Sequence, residues 1–152
     1  MTVQVLRLTV PMAPVGKARA RVVRRGEGVH TYTPDKTAAA ERLIRDEWQA
    51  QGRVRLPDGP LYLQLTIYQR RPKDHWTTRG VLSAAGRRSP YPTTRPDASN
   101  VLKLVEDALN GLAWRDDAQI ALLRVERQWS DNVRIVVFAA PLIEAHRQGW
   151  AA

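Results

Sequence analysis

The order of periodic segments along this 152-residue chain predicts a single α+β domain, residues 1–152, with helices packed on a mixed or mostly antiparallel sheet. Three observations carry that expectation. The segments run β, β, α, β, a long irregular stretch, α, β, β, which is not the regular alternation of a parallel α/β fold. The length suits one domain that buries its core without cross-links, and there is no cysteine to make any. Hydrophobic residues at 43% and charged residues at 26% give an ordinary globular balance, with no run near the ~18 apolar residues of a membrane span.

Residues 3–10 alternate as a strand, with Val3, Val5, Leu6, Leu8 and Val10 supplying branched and aliphatic bulk. The start "MTVQVLRLTVPM" has no charged lead and no long apolar run, so it does not read as a signal peptide, and the chain is expected to be soluble and cytoplasmic. Pro11, Pro14 and Gly16 break the strand. "ARARVV" then suits a strand with arginines on one face, and Pro34 and Thr37 mark a helix start. Ala40, Leu43, Ile44 and Trp48 recur at helical spacing as far as Ala50, and Gly52 ends that helix. Residues 59–69 form the clearest strand, with Leu61, Leu63, Leu65 and Ile67 on one face.

Residues 70–96 hold four prolines, two glycines and almost no periodicity, so they are expected to form a mobile loop. Next, Val101, Leu104, Val105, Ala108, Leu109 and Leu112 fall within one half of a helical projection, opposite Ser99, Lys103, Asp107 and Asn110. Ser99 is a candidate N-cap and Gly111 a C-terminal cap. "QIALLRVERQW" and "VRIVVFAA" read as two antiparallel strands joined at "SDN", and "PLIEAHRQG" as a short final helix.

The net charge of +9 is uneven. Residues 16–26 carry Lys17, Arg19, Arg21, Arg24 and Arg25 without an acid; residues 70–95 carry Arg70, Arg71, Lys73, Arg79, Arg87, Arg88 and Arg95 against Asp74 alone. Together they hold a net +11, leaving the remainder at −2. Focused positive charge on a slightly acidic body favours a polyanion, because each neutralised phosphate releases counterions. Against this, five of the fifteen acids lie between residues 95 and 120: Asp97, Glu106, Asp107, Asp116 and Asp117. Each has an ordinary reading, as a helix-dipole partner, an i,i+4 ion pair with Lys103, or a turn. Together, carboxylates arriving from a helix start, a helix face and a strand start suit Mg²⁺ or Mn²⁺, hard ions that also keep waters for phosphate oxygens. Three scattered histidines and no cysteine argue against a zinc site.

"PDASNVLKLVEDALNGLAWRDDAQI" resembles the signature of the RusA family of Holliday junction resolvases, small dimeric Mg²⁺- or Mn²⁺-dependent endodeoxyribonucleases. "PMAPVGKARAR", "TYTP" and the basic stretch before "RPD" resemble family members more weakly. The resemblance implies a RusA-like fold, a homodimer acting on branched DNA in recombination and repair, no membrane partner and no organic cofactor. It also implies Asp97, Lys103 and Asp117 as catalytic residues, with Asp97, Asp117 and Asp107 toward the metal. Lys17, Arg19, Arg21, Arg24, Arg87, Arg88 and Arg95 are expected on the DNA, with Ser99, Asn100, Glu106 and Asp116 as accessory positions. Ser99 stands where the family usually has a second aspartate, a departure that weakens an oxygen-ligand site. A junction-binding protein with weakened cleavage is therefore one alternative. A nuclease of other branched or single-stranded DNA is the other, with Trp76, Tyr91 and Trp114 as stacking surfaces.

Overall fold

The structure is a computed structural model that describes residues 2–152. It is one α+β domain. In chain order the elements are β1 (Leu6–Val10), β2 (Arg21–Arg25), β3 (Gly28–Tyr32), α1 (Asp35–Ala50), β4 (Leu61–Gln69), α2 (Ala84–Arg88), α3 (Ala98–Leu109), β5 (Ile120–Trp129), β6 (Arg134–Pro141) and α4 (Leu142–Arg147). Single 3₁₀ turns occupy Lys73–His75 and Asp117–Gln119.

β1, β6, β4 and β5 form a mixed sheet in that order, and β2 and β3 form a separate hairpin. β4 runs antiparallel to β6 and parallel to β5. The expected β5–β6 hairpin is therefore not formed. The two strands do run in opposite directions, but β4 lies between them, and residues 130–133 cross its end, where Ser130 N–H donates to Gln69 O at 2.8 Å. Alternation within β5 and β6 shows that each is a strand; it carries no information about which strand lies between. The same central position explains why β4 is buried on both faces, with Tyr62 and Thr66 buried on one and Leu63 and Leu65 on the other.

On one face, Leu6, Leu8, Val10, Leu61, Leu63, Leu65, Ile67, Ile135 and Val137 meet Ala40 and Ile44 of α1 and Val101, Leu104, Val105 and Ala108 of α3. Burying each large aliphatic side chain contributes about 1.5–3 kcal/mol. An N-cap contributes only about 1 kcal/mol. Packing therefore holds α3 in place, and the polar groups at its start are free for other work. On the opposite face Phe138 contacts Tyr62 and Trp150 edge-on, at centroid separations of 6.2 and 5.1 Å. The β1 edge is closed by Gln51, whose side-chain amide bonds both Thr9 N–H (3.0 Å) and Thr9 O (2.8 Å).

Two further expectations change. β3 falls in a stretch that sequence reading assigned to the approach of α1; its alternation is short, and Tyr32 sits only two residues before the helix-starting Pro34. Residues 70–96 are not structureless. Arg71 donates to Gly86 O (3.0 Å) and Ser89 O (3.1 Å), lies over the Trp129 ring, and ties the Lys73–His75 turn to α2. A Cβ on Gly86 would sit 2.5 Å from His75 O, so that close approach requires glycine.

Candidate active site and nucleic-acid interface

The polar side of α3 divides into three regions. At its start, Asp97 is the N-cap residue by backbone geometry, in place of the expected Ser99, yet its side chain makes no capping bond. Among the described residues, its Oδ2 is reached only by Asn100 Nδ2, at 3.4 Å. Asp97, Ser99 and Asn100 are all exposed. The segment leading to β2 presses against this end: Lys17 N–H donates to Asn100 O at 3.0 Å, and a Cβ on Gly16 would meet Asn100 Cβ and Pro96 Cβ, each at 3.3 Å.

In the middle, the Lys17 ammonium lies 2.9 Å from Asp107 and 2.5 Å from Glu41, and Lys103 reaches the other Asp107 oxygen at 3.2 Å. Burial pulls the Asp107 pKa up, but hydrogen bonds from Lys17 and Lys103 outweigh it and hold the carboxyl below its ordinary value. Burial likewise works to lower Lys17, and its bonds to Asp107 and Glu41 overcome that and raise it. Lys17, expected on the DNA, thus spends its charge within the protein. Asp107, expected toward the metal, has both oxygens engaged by lysines.

Toward the C-terminal end, half-buried Glu106 has its pKa raised by burial and by the charge of Asp117, with a smaller repulsion from Asp107 and partial relief from Lys103. Asp117 is held by its neighbours. Trp114 Nε1–H donates to Asp117 Oδ1 at 2.6 Å, and Asp117 N–H donates to Asn110 Oδ1 at 3.2 Å. Trp114 is fully buried, so it is a core residue and a positioning group, not a stacking surface. Asp116 caps the following 3₁₀ turn through Ala118 N–H at 2.9 Å, a structural role. Among the described residues, Glu106 and Asp117 make no ion pair, and no three His, Asp or Glu side chains gather as a metal site. The Asp97, Asp107 and Asp117 set expected from sequence is therefore not brought together. The acid that feels the charge of Asp117 is Glu106.

The basic residues also separate by role. Arg19, Arg21, Arg24, Arg87, Arg88 and Arg95 are exposed. Arg70 and Arg71 are engaged with backbone carbonyls, and so is the exposed Arg87, which donates to Leu82 O at 2.8 Å. Trp76 and Tyr91 are exposed aromatics.

The family model of endodeoxyribonuclease RusA matches residues 11–138, from the turn after β1 into β6. The chain belongs to the RusA endodeoxyribonuclease family. At the family level, RusA proteins are Holliday junction resolvases and generally divalent-metal-dependent nucleases. The "Uncharacterized protein YqaN" of Bacillus subtilis (strain 168) is 29% identical over 132 residues, covering 87% of this chain and 93% of that protein. The RusA match encloses the hairpin, α1, the basic segment before α3 and the Glu106–Asp117 pair, so every region described above lies within it. Among the described residues, no helix is long and apolar enough to cross a membrane.

Proposed function

We propose that this RusA-family chain nicks four-way DNA junctions in a Mg²⁺- or Mn²⁺-dependent reaction, as a homodimer that places one site on each of two strands. The observation that carries the reading is the Glu106–Asp117 pair: an Asp117 carboxylate fixed by Trp114 Nε1–H at 2.6 Å, whose charge is felt at half-buried Glu106, with neither in an ion pair among the described residues. Their oxygens fit a hard divalent ion, and Mg²⁺ sites commonly use only one or two carboxylates, with waters and substrate phosphates completing the shell. When bound, such an ion supplies charge neutralisation at the scissile phosphate and a nucleophilic water.

The protein's own groups then have distinct tasks. Trp114 fixes the Asp117 carboxylate by holding Oδ1, leaving Oδ2 for a ligand. Lys103, with its side chain 58% exposed and its ammonium steadied by Asp107, neutralises charge that develops on the phosphate. Arg19, Arg21, Arg24, Arg87, Arg88 and Arg95 hold the duplex arms by their phosphates, contacts that position DNA without reading its sequence. Asp97 lies nine residues before Glu106, about 13 Å along the helix axis. It reaches the pair only from a second protomer, with the two α3 helices antiparallel across the two-fold axis. Paired nicks on a two-fold junction call for such a dimer.

Ser99 favours a second reading: a junction-binding protein whose cleavage is weak for want of a carboxylate at that position. Incubating the protein with a synthetic four-way junction in Mg²⁺, Mn²⁺ or EDTA separates the two. Metal-dependent nicks near the branch point support the nuclease; tight junction binding without nicks in either metal supports the binding protein.

A further inference from the structure

We infer that the β2–β3 hairpin is an arm that enters the major groove of a duplex branch, an interaction surface separate from the carboxylates of α3. The inference rests on the proposal that the chain binds branched DNA. All ten residues of the two strands are exposed, so the ribbon has no core of its own on the protein. A lone two-stranded ribbon is marginally stable in water. One lying on a protein surface has an apolar face and a polar face, and one standing in solvent is polar on both. This ribbon fits neither description. The register pairs Arg21 with Tyr32 and Val23 with His30 on one face, which also carries Arg25; it pairs Val22 with Thr31 and Arg24 with Val29 on the other. Val22 is 65% exposed and Val29 62%. Each face mixes arginine with apolar groups, which suits a partner that encloses both.

A DNA groove does that. Its floor and walls offer base edges and sugars to the valines and Tyr32, and phosphates to the arginines. Two strands about 4.8 Å apart fit a major groove about 12 Å wide. Gly26, with φ 61°, occupies the first position of the two-residue turn, so the tip is narrow. Charge selects the partner. Arg19, Arg21, Arg24 and Arg25 face a single acid, Glu27, at the tip. A second copy of this chain carries the same +9, and at a two-fold contact the ribbon would meet its own positive patch. The base of the ribbon is anchored where DNA is expected: Ala18 N–H donates to Thr37 Oγ1 at 3.2 Å, and Lys17 N–H to Asn100 O at 3.0 Å, three residues from Asp97.

The test uses the full chain in two double variants, Val22→Ser/Val29→Ser and Arg21→Ala/Arg24→Ala, with junction affinity, its salt dependence, melting temperature and mass in solution as readouts. Both variants keep the wild-type melting temperature and mass, because the substituted side chains support no core. The valine variant weakens junction binding about tenfold with an unchanged log–log salt slope. The arginine variant weakens binding and lowers the slope by about 2, roughly 0.9 for each phosphate that is no longer neutralised. If wild-type protein binds the junction and both variants bind equally well, the ribbon lies outside the interface and the inference is overturned while the nuclease reading stands. Should either variant dissociate a dimer without loss of DNA affinity, the ribbon holds a second copy and the inference is again overturned. Failure of the wild-type protein to bind any branched DNA would remove the functional reading itself.

Discussion

Asp97 and Asp117 stand at opposite ends of one helix. Asp97 is the N-cap of α3, and Asp117 is bonded through its N–H to Asn110, the residue that follows the helix. Thirteen residues of helical rise separate those ends, about 20 Å, whereas the ligands of one ion must all lie within about 2–2.6 Å of it. Among the described residues, these two carboxylates do not gather with a third His, Asp or Glu as a metal site within one protomer.

On the proposed homodimer reading, Asp97 of one protomer works with Asp117 of the other. Asp97→Asn and Asp117→Asn are each expected to lose nicking. An equimolar mixture allowed to exchange protomers should recover it, because each mixed dimer contains one intact site. Recovered product should be singly nicked junction. A mixture as inactive as its components would show that each protomer needs both residues itself.

Metal binding separates the carboxylates by a second measure. Mn²⁺ should raise the wild-type melting temperature by mass action on the native state. Glu106→Gln and Asp117→Asn are expected to remove most of that gain while leaving the metal-free protein as stable or more so, since each relieves repulsion between the pair. Wild-type and Asp117→Asn melting curves that respond equally to Mn²⁺ would take Asp117 out of the site.

The Lys17–Asp107 pair sets an acid limit on stability. The folded pKa of Asp107 is depressed, so its contribution is present above the ordinary aspartate value, near 3.9, and is lost as pH falls through the folded value. Lys17 is shifted upward, so its contribution is complete below the ordinary lysine value, near 10.4, and is lost above it. Asp107→Asn should therefore cost about 1 kcal/mol at neutral pH. That corresponds to roughly 2–4 °C for a domain of this size. The difference between variant and wild type should shrink below about pH 4. A deficit that persists unchanged at pH 3 would assign the effect to packing.

Cations of the 70–95 segment should divide by role. Arg87→Ala/Arg88→Ala should lower the melting temperature only slightly, through loss of the exposed Arg87 bond to Leu82 O, and flatten the salt dependence of junction binding. Arg71→Ala should do the reverse, destabilising the protein by removing its bonds to Gly86 O and Ser89 O and its packing over the Trp129 ring while barely changing the salt slope. Both are read by thermal melting and by binding titrations at several salt concentrations.

The fold class, the buried face of α3 and its approximate ends were legible because periodicity records which side of an element meets the core. Strand order was not, since β5 and β6 alternate in the same way whether or not β4 intervenes. The exposed hairpin left only a faint trace for a related reason: with no core face, Gly28–Tyr32 has no strong alternation to read. At the candidate site, residue types were legible and their partners were not. Lys17 and Asp107 lie ninety residues apart in sequence, and only the packing of the segment before β2 against α3 shows that they neutralise each other. Glu106 looked secondary to Asp107 because both sit on the polar side of the helix; the bonds of Asp117 to Asn110 and Trp114 are what set its charge where Glu106 feels it.

The central claim is metal-dependent cleavage of a branched substrate, and nicking of a labelled four-way junction tests it most directly. Wild-type protein with Mn²⁺ or Mg²⁺ should cut strands near the branch point in symmetric pairs and leave linear duplex of the same sequence intact, with no product in EDTA. Ser99→Asp should lower the Mn²⁺ concentration required, because it restores a carboxylate two residues after Asp97 at the positive end of the helix. Binding without cleavage in either metal, by wild type and Ser99→Asp alike, would contradict the account.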